Sequence, residues 1–231
     1  MNADPQALFS AFLVVATMLL VGFPVHEALH AWTASRLGDN TARFQGRVSL
    51  NPWIHFDPLG GGILILTAFL GAFGGGSFLF GWAKPTPVNP WNMRYGRRGH
   101  ALVAFAGPAS NLVVAIVVGI VFRLLRLDPG FWNSLVDDPL TRMLLSAGIL
   151  LLNLNILLFI FNMLPIPPLD GWSVLKGIVP RAWASRMDEL TAQYANLLPL
   201  VFMGFFLILI LSGGAILGPV ISGISGFLKG F

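Results

Sequence analysis

Long apolar segments are the feature that most limits what this chain can fold into. The four longest cover approximately residues 8–32, 101–122, 143–164 and 195–211. About 20 apolar residues cross the hydrocarbon core of a bilayer. Only 10% of the residues are charged, whereas a soluble domain carries roughly 25%. The sequence therefore predicts an all-α polytopic membrane protein with about four to six transmembrane helices.

A fifth apolar stretch, residues 59–82, is interrupted by glycine. Gly74, Gly75 and Gly76 follow one another in its second half. Single glycines are common in membrane helices, but three in succession favour a turn. We predict that this stretch is a re-entrant glycine-rich hairpin. Residues beyond 212 are glycine-rich and apolar, a pattern that leaves an interfacial helix and a further span both open.

Polar and apolar residues alternate over residues 43–49, between the first span and the glycine-rich stretch. Alternation of this kind is typical of a short hairpin or edge strand. We therefore expect a short β-like loop near the site described next. No internal repeat or linker divides the chain, so we expect a single membrane-embedded domain over residues 1–231. Its core would cover about residues 7–175, with one or more C-terminal helices over about 190–231.

His26, Glu27 and His30 form an HExxH pattern inside the first apolar segment. Histidines at i and i+4 share one helical face, so both imidazoles reach a single tetrahedral metal. The glutamate can then take a proton from a metal-bound water, as in metalloproteases. The alternative is a pair of packing histidines near a helix end. Because one ionisable residue in a membrane helix costs about 3 kcal/mol, three together favour a metal site.

Two histidines leave a tetrahedral site incomplete, and the chain has no cysteine. A third histidine six residues after His30 is excluded, because Arg36 stands there. Glu189 is the only other glutamate and lies in a charged run, where a solvated helix end is the simpler interpretation. An aspartate is therefore the remaining choice.

Asp170 is the best candidate among the aspartates because it follows a proline-rich break in an apolar segment. Prolines at positions 165, 167 and 168 must unwind the helix there. Unwound backbone at membrane depth is tolerated only where it lines protein or a wet cavity. The alternative is a plain helix stop followed by a loop aspartate.

Topology tests this choice independently. His30 lies at the C-terminal end of one apolar segment and Asp170 at that of another, and they reach the same side only if residues 59–82 form a hairpin. Basic residues support that arrangement, because the hairpin gathers most of them on one side. That side holds Arg36, Arg43, Arg47, Lys84, Arg94, Arg97, Arg98, Lys176, Arg181 and Arg186, and the other holds Arg123, Arg126 and Arg142. The positive-inside rule then predicts an active site toward the cytoplasmic side.

Three further polar residues are weaker candidates. Asn111 and Asn162 could hydrogen-bond a substrate backbone or the oxyanion, and asparagines that only pack between helices are the alternative. His55 could be a gate or support a metal ligand, and an ordinary loop histidine near the membrane interface is the alternative.

The sequence resembles the site-2 protease family of intramembrane zinc metalloproteases. The resemblance rests on HEALH at residues 26–30, GPASN at 107–111 and NMLPIPPLDG at 162–171, in that order. The stretches SLNPWIHFDP and GWAKPTPVNP resemble its compact prokaryotic branch. The resemblance implies zinc bound by His26, His30 and Asp170, with Glu27 as the general base. It also implies transmembrane-helix substrates, cut within or near the bilayer. Trp172 departs from the family pattern, which usually continues with a second glycine.

We therefore expect a zinc endopeptidase of a prokaryotic cell membrane. Its partners would be transmembrane protein substrates and the lipid bilayer. The net charge of +4 comes without a basic helix, so nucleic acid is not an expected partner. We also expect the segment at 43–49 to pair with the substrate as an added β-strand. The alternative function is a membrane metal transporter or metal-binding protein that uses the same histidines. The sequence makes no prediction of oligomeric state.

Overall fold

A computed structural model describes residues 5–73, 79–212 and 215–230. Within these ranges the chain is helical and has no strand. The helices are α1 (Pro5–Thr17), α2 (Phe23–Arg36), α3 (Thr41–Phe44), α4 (Pro52–His55), α5 (Pro58–Ala72), α6 (Gly96–Leu125), α7 (Pro129–Asp137), α8 (Pro139–Asn162), α9 (Asp170–Ile178), α10 (Arg181–Gln193), α11 (Leu198–Leu211) and α12 (Gly218–Lys229). The all-α prediction is confirmed.

Three helices in the described ranges are long and apolar enough to cross a membrane. They are Pro5–Arg36, Gly96–Leu125 and Pro139–Asn162. The fourth predicted span, residues 195–211, is shorter in the structure, where α11 has 14 residues. A helix of that length extends about 21 Å, less than the roughly 30 Å of the hydrocarbon core.

The first span joins α1 to α2 through a π-helical turn, Met18–Gly22. Pro24 follows this turn and has no N–H to donate to the carbonyl four residues earlier. The helix widens there instead, and the N–H of Phe23 donates to the carbonyl of Met18. π-turns are frequent next to functional sites, and this one ends four residues before His26.

Residues 58–72 and 79–89 lie side by side as one helical and one extended arm, the arrangement expected of the hairpin predicted at residues 59–82. Helix α5 is the first arm, and residues 79–89 return along it as the second, which we call the extended arm. Thr67 of α5 contacts both the N–H and the C=O of Phe80 at 3.1 Å. The N–H of Lys84 donates to the carbonyl of His55 at 2.8 Å, just before α5 begins. The beginning of α5 and the end of the extended arm therefore lie at the same end of the hairpin. The glycine cluster at 74–76 lies outside the described residues.

The predicted β-like loop at residues 43–49 is wrong. Residues 41–44 form helix α3, and Gly46 adopts a positive φ of 73° in the turn that follows. Asp39 accepts a hydrogen bond from the N–H of Thr41, the first residue of this helical turn. Arg47, in the middle of the alternating pattern, is buried and donates to the carbonyl of Ile54. Residues 79–89, which contain no helix, turn or bend, form the extended segment instead.

Helix α6 is the central element, packed against α2, α8 and α9. Near its far end, Gly119 lies so close to Leu228 of α12 that an added Cβ would approach the Leu228 Cβ to 2.7 Å. The described part of the tail is therefore a helix packed on α6 and α8. Near the middle of α6, Asn111 contacts His26 of α2, and α9 brings Asp170 to the same histidine.

Candidate metal centre

Three side chains from two distant parts of the chain converge on one point. The Nε2 atoms of His26 and His30 lie 3.0 Å apart. Asp170 Oδ2 lies 3.1 Å from the first and 3.3 Å from the second. A tetrahedral zinc ion with bonds of about 2.0–2.2 Å separates its ligand atoms by about 3.3–3.5 Å. The spacings of the three donors are thus equal to this requirement or shorter by about 0.3 Å at most.

Local structure explains how Asp170 arrives at this point. It is the first residue of α9 and follows the proline-rich turn after α8. An added Cβ on Gly171 would lie 2.3 Å from the carbonyl oxygen of Met163 and 2.5 Å from that of Leu164. Only glycine permits the start of α9 to fold so tightly against the end of α8. The next residue, Trp172, is half-buried in α9 and leaves Asp170 in place.

Asp170 can supply the third ligand atom, because an ionised carboxylate is the form that coordinates a cation.

His30 has one fixed tautomer. Its Nδ1 lies 2.7 Å from the carbonyl oxygen of Val103, which can only accept a hydrogen bond. Nδ1 therefore carries the proton, and Nε2 presents its lone pair to the centre. Orientation of a ligating histidine through its second nitrogen is a general property of metal sites.

His26 is fixed in the same way through two asparagines. Its Nδ1 lies 2.7 Å from Asn111 Oδ1, and Asn111 Nδ2 donates to the carbonyl of Gly22 at 3.1 Å. Asn111 Nδ2 also donates to Asn155 Oδ1 at 2.9 Å, and Asn155 Nδ2 donates to the carbonyl of Leu151 at 2.8 Å. Because both carbonyls only accept, they determine the orientation of both amides. His26 must then donate from Nδ1 and present Nε2.

Gly107 of α6 forms the floor of the centre. An added Cβ would lie 2.3 Å from His30 Nε2 and 2.7 Å from His26 Nε2. Any other residue would fill the space into which both lone pairs point. The donor set, the fixed tautomers and this open space all fit a metal ion such as zinc.

Glu27 lies on the same helix, between the two histidines. Its Oε2 accepts a hydrogen bond of 2.8 Å from the N–H of Thr86 in the extended arm. Within the described ranges, its Oε1 accepts none. Glu27 and His26 both line a cavity of about 560 Å³.

That cavity is mostly apolar. Its wall includes Met18, Phe23, Leu64, Leu157, Phe161 and Phe206. Asn162 also lines it, and residues 79–83 of the extended arm form one side. The cavity therefore presents mainly apolar walls next to His26 and Glu27.

The comparisons with known proteins agree with this geometry. YwhC of Bacillus subtilis, named as a candidate zinc metalloprotease, is 38% identical over 183 residues, which are 77% of this chain and 74% of YwhC. The chain belongs to the site-2 protease family of zinc metalloproteases. Rip2 of Mycobacterium tuberculosis, with the same description in its name, is 32% identical over 76% of this chain and 61% of Rip2. MJ0611 of Methanocaldococcus jannaschii is 29% identical over 76% of each chain. No protein-family model and no solved structure matches the chain.

The other residues that the sequence singled out take different places in this site-2 protease homologue. Asn111 has no exposed surface and contacts His26, and its predicted role as an oxyanion donor stays a prediction. Asn162 lines the cavity while its Nδ2 donates to the carbonyl of Leu158, and its predicted role stays a prediction. His55 is buried and its Nε2 donates to the carbonyl of Ser49, which is a loop contact.

Sequence reasoning missed two residues of the family member's site. Asn155 lies in the middle of an apolar span, where the cost of burying an amide was a signal that it has a partner. Thr86 lies between Pro85 and Pro87, which have no N–H and restrict the backbone. This pattern was the signal that the N–H of Thr86 is a backbone donor held in one position.

Proposed function

We propose that this chain is an intramembrane zinc endopeptidase that hydrolyses peptide bonds of transmembrane-helix substrates within or near the bilayer. The observation that supports it most is the convergence of His26, His30 and Asp170 beside Glu27 and an apolar cavity. Helices long enough to span a membrane carry the two histidines and form the central packing. Two of the three metal-binding side chains thus belong to a helix long enough to span a membrane, and Asp170 meets them from α9.

The proposed reaction assigns a role to each side chain. The ligands would be His26, His30 and Asp170, and bound zinc would polarise the scissile carbonyl and lower the pKa of the attacking water. Glu27 Oε1 takes a proton from that water as the water oxygen bonds to the carbonyl carbon. The C–N bond then breaks, and Glu27 returns the proton to the leaving nitrogen. Water is consumed, and a carboxyl and an amino terminus are produced.

A helical substrate cannot react directly, because its carbonyls are hydrogen-bonded within the helix. We propose that it unwinds and pairs with the extended arm by β-strand addition. One edge of that arm is occupied by protein, since Phe80 contacts Thr67 and Lys84 contacts His55. The backbone groups of Gly81 and Ala83, which lie between them, make no hydrogen bond within the described ranges. They alternate to the other edge and are available to a substrate strand.

We further propose that the chain resides in a prokaryotic cell membrane with its active site toward the cytoplasm. The hairpin keeps the ends of α2 and α8 on one side, where most basic residues gather. The positive-inside rule assigns that side to the cytoplasm.

Metal transport with the same histidines is the alternative function. A transporter needs successive ligand sites along a path, and the described residues contain one group of metal-binding side chains. A transporter also needs no general base. The Glu27 carboxylate beside the cavity therefore favours the protease.

The first experiment is cleavage of a model transmembrane substrate by purified protein in liposomes, with bound zinc measured in each variant. Wild type should cleave, Glu27→Gln should lose cleavage while keeping zinc, and Asp170→Ala should lose cleavage and bind zinc more weakly. No cleavage by wild type, together with full zinc in all three proteins, would overturn the protease and favour metal binding or transport.

A further inference from the structure

Thr86 makes two hydrogen bonds to a single residue 59 positions away in the sequence. Its N–H donates to Glu27 Oε2 at 2.8 Å, and its hydroxyl donates to the Glu27 carbonyl at 3.1 Å. Pro85 and Pro87 flank it and have no N–H, so Thr86 provides the sole backbone donor of this tripeptide. The two prolines also restrict φ on either side of it, which limits how far the donor can move.

We infer that Thr86 is a positioning residue for Glu27, an inference that rests on the proposed protease function. The N–H of Thr86 occupies Oε2 and leaves Oε1, which accepts no hydrogen bond within the described ranges, to exchange the proton with water and leaving group. Without this bond the carboxylate can rotate about its side-chain torsions, and the oxygen that meets the water is no longer fixed. The hydroxyl bond holds the same arm against the backbone of α2.

The same arm lines the cavity, which gives this contact a second consequence. Residues 79–83 border the cavity, and Thr86 is three residues beyond Ala83. A substrate strand paired with Gly81 and Ala83 is therefore held by the segment that also holds Glu27. The distance between the scissile carbonyl and the base is then set within one short, proline-stiffened piece of backbone.

Kinetics of three variants test the inference on the cleavage reaction. Thr86→Ser keeps both bonds and should stay within about twofold of wild type. Thr86→Val keeps the shape and the N–H but loses the hydroxyl bond, and kcat should fall about fivefold. Thr86→Pro removes both donors, and kcat should fall about a hundredfold. In all three, zinc content should equal that of wild type and KM should change by less than about twofold.

Thr67→Val is the matched control, because Thr67 anchors the extended arm at Phe80 and does not touch Glu27. It should raise KM and leave kcat nearly unchanged. Wild-type kcat in both Thr86→Val and Thr86→Pro would overturn the inference. If Thr86→Pro does not fold, Thr86→Val is the deciding variant. The inference is then overturned if the kcat of Thr86→Val equals that of Thr86→Ser.

Hydrogen exchange gives a readout that needs no cleavage. A peptide covering residues 84–88 has backbone N–H groups only at Lys84, Thr86 and Val88. In Glu27→Ala the acceptor is lost, and one of these amides should exchange about tenfold faster, whereas Glu27→Gln should keep the slow rate. Equal rates in wild type and Glu27→Ala would overturn the inference. This result is independent of whether wild type cleaves, so failure of the protease function is distinguished from failure of the Thr86 contact.

Discussion

His26 Nδ1 lies 2.7 Å from Asn111 Oδ1, and this contact fixes which nitrogen of His26 faces the metal centre. Groups outside this pair determine which of the two atoms donates the hydrogen bond. The carbonyl of Gly22 orients the Asn111 amide, and Asn155, itself oriented by the carbonyl of Leu151, accepts the other Asn111 N–H. A chain of buried amides therefore connects the middle of α8 to a proposed zinc ligand on α2.

Asn155→Leu should weaken zinc binding about tenfold, because loss of a residue that supports a metal ligand typically costs ten- to hundredfold in affinity. Leucine has a similar volume but accepts no hydrogen bond, so one Asn111 N–H becomes an unpaired buried donor. Competition with a chelator measures the affinity. Asn153→Leu is the control on the same helix, since the Asn153 side chain takes no part in this network. Equal losses in both variants would count against the network.

Gly107→Ala should abolish zinc binding while the protein remains folded. The added Cβ would lie 2.3 Å from His30 Nε2, inside the space that the lone pairs need. Zinc stoichiometry after purification and helix content by circular dichroism are the measurements. Gly204→Ala serves as the control, because nothing lies within 4 Å of the corresponding Cβ. Full zinc in Gly107→Ala would show that the centre lies elsewhere.

The sequence predicted the residues of the centre because their signals are local. The i, i+4 spacing of His26 and His30 needs only helical geometry, and the prolines before Asp170 identify a break without reference to any other segment. The hairpin followed from three glycines and from the side that each basic residue must take. These arguments need no knowledge of how the helices pack.

Packing decided what the sequence could not predict. Asn111 and Asn155 are 44 residues apart, and Glu27 and Thr86 are 59 apart, so neither contact follows from spacing. The strand predicted at residues 43–49 failed because seven alternating residues fit a short helix and turn equally well. In the structure the N–H of Thr41 donates to Asp39 and Arg47 is buried, and both contacts belong to the helix and turn.

Asp39 should make stability depend on pH at the acid end. Burial raises the pKa of its carboxyl, but hydrogen bonds from Thr41, Asn89 and Asn92 outweigh burial and hold the pKa below the ordinary value of 3.8. A depressed pKa adds stability that is fully present above 3.8 and is lost as the pH falls through the folded-state value. Asp39→Asn should therefore lower the free energy of unfolding by about 1–3 kcal/mol at pH 7. Chemical unfolding in detergent at pH 7 and at pH 3 should show this difference shrinking in acid, and a constant difference would contradict the assignment.

Ala83→Pro should raise KM about tenfold or more, while zinc content remains that of wild type. Ala83 lies in the extended arm, its N–H makes no bond within the described residues, and it belongs to the edge that we expect a substrate strand to meet. Proline removes this donor and is compatible with extended backbone on a strand edge. Ala83→Val is the control, because it keeps the N–H and adds bulk in the same place. If the two variants raise KM equally, steric contact explains the effect and pairing does not. Strand addition requires that proline raise KM more than valine does. It also requires that proline raise KM more for an apolar transmembrane substrate than for a short soluble peptide, since only the longer substrate spans the full edge.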